Sequence, residues 1–190
     1  FYHAKEDSLV KSPEKLFEIY LTSVGRGSTL LLNIPPDRRG LIHENDVLAL
    51  QQWRALLDET FKTNLAGDAR VTASAYRGNS ETFSPVNLTD SNPETCWATD
   101  DDTIVTSVEL EFPEPREIRY VLLQEYIKLG QRVKAFDIAM WNDDKWKIIA
   151  GGTTIGYKRI IKIDPVKTNR VRITIRDAKA CPVISNVEIY

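Results

Sequence analysis

The sequence predicts a mixed fold, in which a short α/β segment is followed by an antiparallel β-sandwich or barrel. Up to about residue 66, apolar residues recur at helical spacing around one unbroken apolar run. From about Asp68 onward, the apolar residues instead alternate with polar ones, which is the period of a half-buried strand. We therefore predict two domains, residues 1–66 and 67–190, with a linker at about Asn64–Asp68.

The first segment contains two predicted helices. In "SPEKLFEIYLTSVGRG", Ser12 is a good N-cap and Pro13 suits the first helical position, where a missing N–H costs nothing. Gly25 and Gly27 then end this helix. A second helix is predicted over "HENDVLALQQWRALLDETF", because four apolar residues lie along one stripe: Leu50, Trp53, Leu57 and Phe61.

Between these helices, the sequence "STLLLNIPPDRRG" predicts a strand over residues 30–34 that is buried on both faces, as in a parallel sheet. Pro35 and Pro36 end it. Helix, strand and helix make one and a half βα repeats, and a single parallel strand has no sheet to join. We therefore expect either the rest of an α/β domain upstream or another surface on which the segment packs. The first residues, "FYHAKEDSLV", resemble mid-chain sequence and favour a fragment.

The second region alternates in four clear runs, "TSVELEF", "AFDIAMW", "NRVRITIR" and "SNVEIY". Turn signals separate them at "PEP" (113–115), "NDD" (142–144) and "GGTTIG" (151–156). Many short alternating strands with such spacing predict an antiparallel sandwich or barrel, without a helix of useful length. Alternation also favours burial in the core for at least one of Trp141 and Trp146.

Composition excludes several classes of function. The 190 residues are 42% hydrophobic and carry 25 basic against 27 acidic side chains, a net charge of −2. The absence of a basic excess argues against nucleic acid, and no apolar run approaches the ~20 residues of a membrane span. Cys96 and Cys181 could form one disulfide or none, so they do not fix a compartment.

Two stretches resemble known families. "STLLLNIPPDRRGLI" resembles the last barrel strand and following loop of the α-L-fucosidase glycoside hydrolases. "NLTDSNPETCW", "LQEYIKLGQRVKAFDI", "GTTIGYKRI" and "VRITI…SNVEIY" together resemble a discoidin domain, also called the coagulation-factor (F5/8) type C domain. Their order is similar to that of the discoidin-type domain appended to bacterial α-L-fucosidases, and the matches cover nearly the whole chain.

The resemblance implies a C-terminal βα fragment of a TIM-like (β/α) barrel at residues 1–66, followed by a discoidin-like jelly-roll sandwich at 67–190. It implies retaining hydrolysis of terminal α-L-fucose from fucosylated oligosaccharides or glycoconjugates by two carboxylates. In the family, both carboxylates lie upstream, in the N-terminal barrel that this chain lacks. We therefore expect no catalytic residue after Phe1, no cofactor for catalysis, an inactive chain and a periplasmic or extracellular location.

Candidate substrate contacts can be predicted from the barrel fold, because the active sites of (β/α) barrels lie at the carboxyl ends of the strands. Residues after the predicted strand could reach the pocket rim, although an exposed loop with a supporting Asp–Arg pair is the alternative. The sandwich loop "YRGNSETF" offers further aromatic and planar polar groups. The predicted substrate-binding residues are His3, Asn33, Arg38, Arg39, Tyr76, Arg77 and Asn79.

The loop "LTDSNPETCWATDDD" raises the question of a metal. In discoidin-like modules the equivalent loop often holds a structural calcium, which needs several oxygen ligands. A self-satisfied Asx-type turn is the alternative. Asn186 occupies the position at which the family usually supplies a Glu, and Glu188 is two residues on, facing the same way. Predicted calcium ligands are Asn87, Asp90, Asn92, Thr95 and Asn186.

Two functions from different classes remain open at this stage. The first is the C-terminal portion of an exo-acting α-L-fucosidase, whose sandwich stabilises the enzyme or binds carbohydrate. The second is a non-catalytic carbohydrate-binding or adhesion module attached to another enzyme or scaffold. Discoidin-type domains bind varied ligands, so the fold alone does not decide between them. The loops show few apolar spikes, which argues against membrane insertion.

Overall fold

A computed structural model describes residues 9–190 of the chain. The chain divides into two compact units, which we call the helical unit (up to Thr63) and the sheet unit (Asn64–Tyr190). Neither helix in the described residues is long and apolar enough to cross a membrane.

The helical unit contains α1 (Pro13–Thr22) and α2 (Glu44–Thr60). The predicted start of α1 is confirmed, because the Ser12 side chain accepts a hydrogen bond from the backbone N–H of Lys15. A short 3-10 turn follows and ends at Gly27, whose φ of 80° is left-handed. His43 caps α2, and the two helices pack through Phe17 and Phe61, whose ring centroids are 6.1 Å apart.

The predicted strand over residues 30–34 is wrong for the described structure. These residues form no strand, and Leu31 is 85% exposed. The reason is physical, because a strand is stabilised by hydrogen bonds to neighbouring strands and none lies beside this segment in the described helical unit. The segment ends in a tight loop in which Pro36 and Ile42 form an isolated antiparallel bridge.

The sheet unit is all antiparallel. Its hydrogen-bonded strand order is β2-β7-β3-β6-β4-β5, and β1 also pairs with β3. Its other regular elements are short 3-10 turns, as expected for a region without periodic helices. The strands are β1 (Arg70–Ala73), β2 (Trp97–Ala98), β3 (Thr106–Glu125), β4 (Val133–Asn142), β5 (Lys145–Gly152), β6 (Arg159–Ala178) and β7 (Val183–Ile189).

Two 20-residue strands, β3 and β6, each take part in two groups of strands. The first part of β3 pairs with β1 and with the last part of β6, which continues to β4 and β5. Beyond a register shift between Glu111 and Arg116, β3 pairs with the first part of β6 and with β7. The predicted "PEP" turn is thus a break within one long strand. The topology is consistent with a β-sandwich.

The main hydrophobic core of the sheet unit contains the residues that the predicted alternation turns inward. Val108, Leu110 and Phe112 of β3 are buried in it, and so are Phe136, Ile138 and Met140 of β4. The prediction that Trp141 or Trp146 joins this core is wrong. Both lie outside it, because Met140 already takes the inward position next to Trp141.

The predicted linker belongs to the sheet unit. Ala66 is fully buried in the core, and residues 65–68 form a 3-10 turn. The Asn64 side chain accepts hydrogen bonds from the backbone N–H groups of Ala66 and Ile189. This segment is therefore fixed to the last strand of the sheet.

Both cysteines are free thiols and buried. They lie in one small buried cluster with Ala98 and Val183, without a bond between them. The alternative without a bridge is therefore what the structure shows.

Candidate functional site

The loop from Leu88 to Asp102 satisfies its own polar groups. One Asp90 carboxylate oxygen accepts from the backbone N–H of Asn92 at 2.8 Å, and the other accepts from the Thr95 hydroxyl at 2.6 Å. Asn92 in turn accepts from the backbone N–H of Glu94. These are the contacts of an Asx-type turn. Trp97, two residues after Thr95, is 1% exposed and donates its indole N–H to the Ala75 carbonyl.

The structure brings Asn92 and Asn186 to one cleft of about 150 Å³, which we call the loop cleft. The Asn186 amide nitrogen donates to Gln124 and Glu188, both at 2.8 Å. The expectation that Glu188 faces the same way as Asn186 is thus confirmed. Sequence reasoning missed Gln124. The cleft is lined by Ser91, Asn92, Pro93, Gln124, Ser185, Asn186 and Glu188.

The other predicted calcium ligands differ in orientation. Asn87 donates its amide hydrogens to the carbonyls of Thr82 and Cys96, so it joins two loops. Only the Asp90 carboxylate and the Thr95 hydroxyl converge directly. Among residues 9–190, no group of three or more His, Cys, Asp or Glu side chains is placed to hold a metal ion. This donor set fits a weak calcium site at most.

Arg77 joins three loops of the sheet unit. Its guanidinium donates to the Thr99 carbonyl at 3.1 Å, pairs with Asp101 and contacts the Cys181 sulfur at 3.5 Å. The Asp101 hydrogen bond is the main cause that raises the pKa of Arg77, and the same bond lowers the pKa of Asp101. Asp100 accepts from the backbone N–H of Gly78, so Asp100 and Asp101 both anchor the turn that carries Arg77.

The neighbours of Arg77 do not complete a site with it. Tyr76 is half-buried and packs against the core, whereas Asn79 is exposed at the left-handed φ of 51°. The side chains of Tyr76, Arg77 and Asn79, which were predicted to bind substrate, therefore do not form one site.

Glu125 joins the loop in "QEYIKLGQRV" to the loop in "GTTIG" through hydrogen bonds to both. Its side chain is nearly fully buried, and one oxygen accepts from the backbone N–H groups of Arg132 and Val133 at 2.7 and 2.9 Å. The other oxygen accepts from Gly156 at 2.6 Å. Arg132 then donates to the Cys181 carbonyl at 3.0 Å. One carboxylate thus fixes two loops that the sequence separates.

In the helical unit, Asn33 lies within the segment that was predicted as a strand, and Arg38 and Arg39 follow it. Asn33 and Arg38 are exposed. Arg39 is bound to two carboxylates, with Asp37 at 2.6 Å and Glu44 at 2.7 Å. Arg38 and Arg39 line an open cleft of about 280 Å³, which we call the rim cleft, together with Asp37, His43 and Glu44.

Arg39 lowers the pKa of both carboxyl groups of this cleft. Its hydrogen bond is the leading cause that lowers the pKa of Asp37, against burial, and it also lowers the pKa of Glu44. Backbone N–H groups of Arg39 and Leu41 donate to the same Asp37 oxygen. The alternative of an Asp–Arg pair that supports the turn is therefore what the structure shows for Arg39. Arg38 is presented outward from the tip of the turn.

A further cluster lies on the outer face of β3, β4, β5 and β6. Trp141 and Trp146 are directly opposite each other, with ring centroids 5.4 Å apart in an edge-on arrangement. The Arg172 guanidinium lies 4.0 Å from the Trp146 ring centroid, and that of Arg170 lies 5.1 and 5.2 Å from the two rings. Glu109 accepts hydrogen bonds from both arginines. We call these five residues the Trp–Arg face.

Residues 70–189 match the family model of the F5/8 type C domain. The chain belongs to this family. The match spans the seven strands of the sheet unit and does not include the helical unit.

Two curated relatives align with the whole chain, helical unit included. The chain is 35% identical to a rice (Oryza sativa subsp. japonica) protein assigned as alpha-L-fucosidase 1, and 31% identical to alpha-L-fucosidase 1 of Arabidopsis thaliana. It spans 37% and 38% of the length of these proteins. The homology to α-L-fucosidases therefore includes plant proteins.

Solved structures also show the homology to α-L-fucosidases. A Bacteroides thetaiotaomicron protein assigned as an alpha-L-fucosidase matches all of this chain with a TM-score of 0.94 and 41% identity, over 42% of its own length. A Ruminococcus gnavus GH29 fucosidase in complex with fucose matches 95% of this chain with a TM-score of 0.88 and 31% identity, over 37% of its own length.

The predicted substrate contact His3 lies outside the described residues.

Proposed function

We propose that this chain is the C-terminal portion of a longer α-L-fucosidase that removes terminal α-L-fucose from glycans with retention of configuration. The observation that carries the proposal is the alignment of the whole chain, both units included, with α-L-fucosidases of about 2.5 times its length. In this proposal the helical unit completes a catalytic (β/α) barrel supplied by the N-terminal part, and residues 30–34 become a strand once neighbouring strands are present.

The carboxylates of the rim cleft do not suit the acid role of a retaining glycosidase. A retaining glycosidase needs an acid whose pKa is raised, so that it can protonate the leaving group at neutral pH. Asp37 and Glu44 have the opposite property, because Arg39 lowers the pKa of both. These side chains suit a fixed salt-bridge network that shapes a pocket rim.

Within this proposal, Arg38 and Asn33 are the residues of the helical unit that reach the substrate. Both side chains are exposed, and the turn that presents Arg38 is fixed on either side by Asp37 and Arg39. An exposed guanidinium can donate paired hydrogen bonds to sugar oxygens beyond the fucose. The sheet unit serves as an accessory domain, and we propose an exported protein because its glycan substrates are found outside the cytoplasm.

We also propose that calcium binds the Asp90 loop weakly. Asp90 and Thr95 would hold the ion, and its role would be to stiffen the loop. With one carboxylate in this set, stabilisation is expected only at about millimolar calcium. Thermal denaturation of the chain with added calcium or chelator measures it. Asp90→Asn should abolish the calcium-dependent rise in Tm, whereas Asp102→Asn should keep it; an equal rise in both variants would contradict the site.

The activity is tested on the whole protein with 4-nitrophenyl α-L-fucoside, with the matching α-D-galactoside as the control substrate. We expect hydrolysis of the fucoside alone. Proton NMR of the first product should show the α-anomer of fucose, which is the mark of retention. Initial formation of the β-anomer would exclude the proposed mechanism, and an absence of fucoside hydrolysis would exclude the proposed activity.

A further inference from the structure

The Trp–Arg face extends along β6 as a row of arginines. Val171, Ile173 and Ile175 of this strand point into the core, so the alternate residues Arg170, Arg172 and Arg176 leave the sheet on its outer face. Alternate positions of a strand are about 6.6 Å apart. Arg170 and Arg172 are therefore neighbours on this face, about 6.6 Å apart along the strand, and Arg176 lies about 13 Å beyond Arg172 because Thr174 stands between them.

The arginine side chains are held in place before any ligand arrives. Arg172 rests on the Trp146 ring and gives two hydrogen bonds to Glu109, at 2.9 and 2.6 Å. Arg170 lies beside both indole rings and gives one hydrogen bond to the same carboxylate. Fixing long side chains in advance lowers the entropy cost of binding. Arg170 and Arg172 are thus each held by an indole ring and by a carboxylate.

The row still has hydrogen-bonding capacity and positive charge to offer. A guanidinium has five N–H donors. The bonds to Glu109 take one donor of Arg170 and two of Arg172, and Asp137 takes one of Arg176 at 2.8 Å. Three guanidiniums thus share two carboxylates. Their side chains remain 32%, 32% and 55% exposed.

We propose that the Trp–Arg face and Arg176 form a binding site for oligosaccharides that carry uronic acid carboxylates. The guanidinium groups of Arg170 and Arg172 already bind one carboxylate, that of Glu109, and a ligand carboxylate would be bound by the same kind of hydrogen bonds. Arg172 covers one face of Trp146, so a neutral sugar loses a stacking surface that a neutral-glycan site would leave open. The choice of a sugar as the bearer of the carboxylates rests on the proposed function.

The test is a titration of the whole 190-residue chain with a galacturonic acid tetramer, followed by tryptophan fluorescence and calorimetry. We expect saturable binding that changes the emission and weakens at high ionic strength. Arg172→Gln and Arg176→Gln should each weaken binding, by about tenfold for Arg172. Arg119→Gln is the matched control, because Arg119 is also exposed and gives two hydrogen bonds to one carboxylate, that of Glu117. It should bind as the parent chain does.

Four outcomes would overturn the proposal: no saturable binding, equal binding of a neutral galactose tetramer, equal or tighter binding of a sulfated galactose tetramer, or equal binding of a glutamate hexapeptide. Denaturant unfolding of each variant checks that it folds. If the Arg172→Gln variant does not fold, the affinity of the Arg176→Gln variant decides whether the arginines bind the ligand. Fucoside hydrolysis by the whole protein is measured separately, so loss of uronate binding with intact hydrolysis counts against this site alone.

Discussion

Replacing Glu125 with Ala is expected to destabilise the sheet unit by about 3–5 kcal/mol. The change leaves the backbone N–H groups of Arg132, Val133 and Gly156 without their acceptor in a buried setting. It also releases the loop that carries Arg132 to Cys181. Urea unfolding followed by circular dichroism measures the loss, and the Tm should fall by roughly 10 °C or more.

Two further variants separate this anchor from a general effect of charge. Glu125→Gln keeps one carbonyl acceptor but turns an amide nitrogen toward a backbone donor, so we expect an intermediate loss. Glu117→Ala removes an exposed carboxylate from the same strand and should change stability by no more than about 0.5 kcal/mol. Equal stability of the Glu125→Ala and Glu117→Ala variants would contradict the anchor.

Replacing Trp97 with Ala should cost about 3–5 kcal/mol, because it opens a large cavity in the core. The indole is 1% exposed and packs in the main hydrophobic cluster. The change also removes the hydrogen bond to the Ala75 carbonyl, which joins β2 to the segment after β1. Denaturant unfolding gives the loss, and the Asp90 loop should exchange its amide hydrogens faster.

Trp146→Ala is the matched comparison for Trp97→Ala. Trp146 lies outside the core and contacts Arg170, Arg172 and Trp141 on the outer face. Its loss removes cation–π contacts without a core cavity, so we expect about 1 kcal/mol. A cost for Trp146→Ala that equals that of Trp97→Ala would mean that the outer face contributes as much to stability as the core does.

The sequence predicted the sheet unit better than the helical unit, and the reason lies in where each element finds its partners. The alternating runs around Val108, Phe136 and Ile173 carry their own core pattern, and their pairing strands lie within the chain. Residues 30–34 carry an equally clear apolar pattern, but a strand forms only beside another strand. The Ser12 cap depends on three neighbouring residues and was predictable from them alone.

The candidate site residues were harder to predict, because their partners are distant in sequence. Glu125 binds Gly156 across 31 residues, and Arg77 contacts Cys181 across 104. No local pattern indicates such pairs. The prediction that Trp141 or Trp146 joins the core failed for a different reason. Met140 is buried, so its neighbour Trp141 lies on the opposite face, and Trp146 shares that face because it pairs directly with Trp141.

The most direct test of the account compares the 190-residue chain with the whole protein at equal molar concentration on 4-nitrophenyl α-L-fucoside. We predict turnover by the whole protein and none above background by the chain, because in the proposed function both catalytic carboxylates lie in the N-terminal barrel. Turnover by the purified chain that is lost on heating would contradict the account, since the catalytic residues would then lie within residues 1–190.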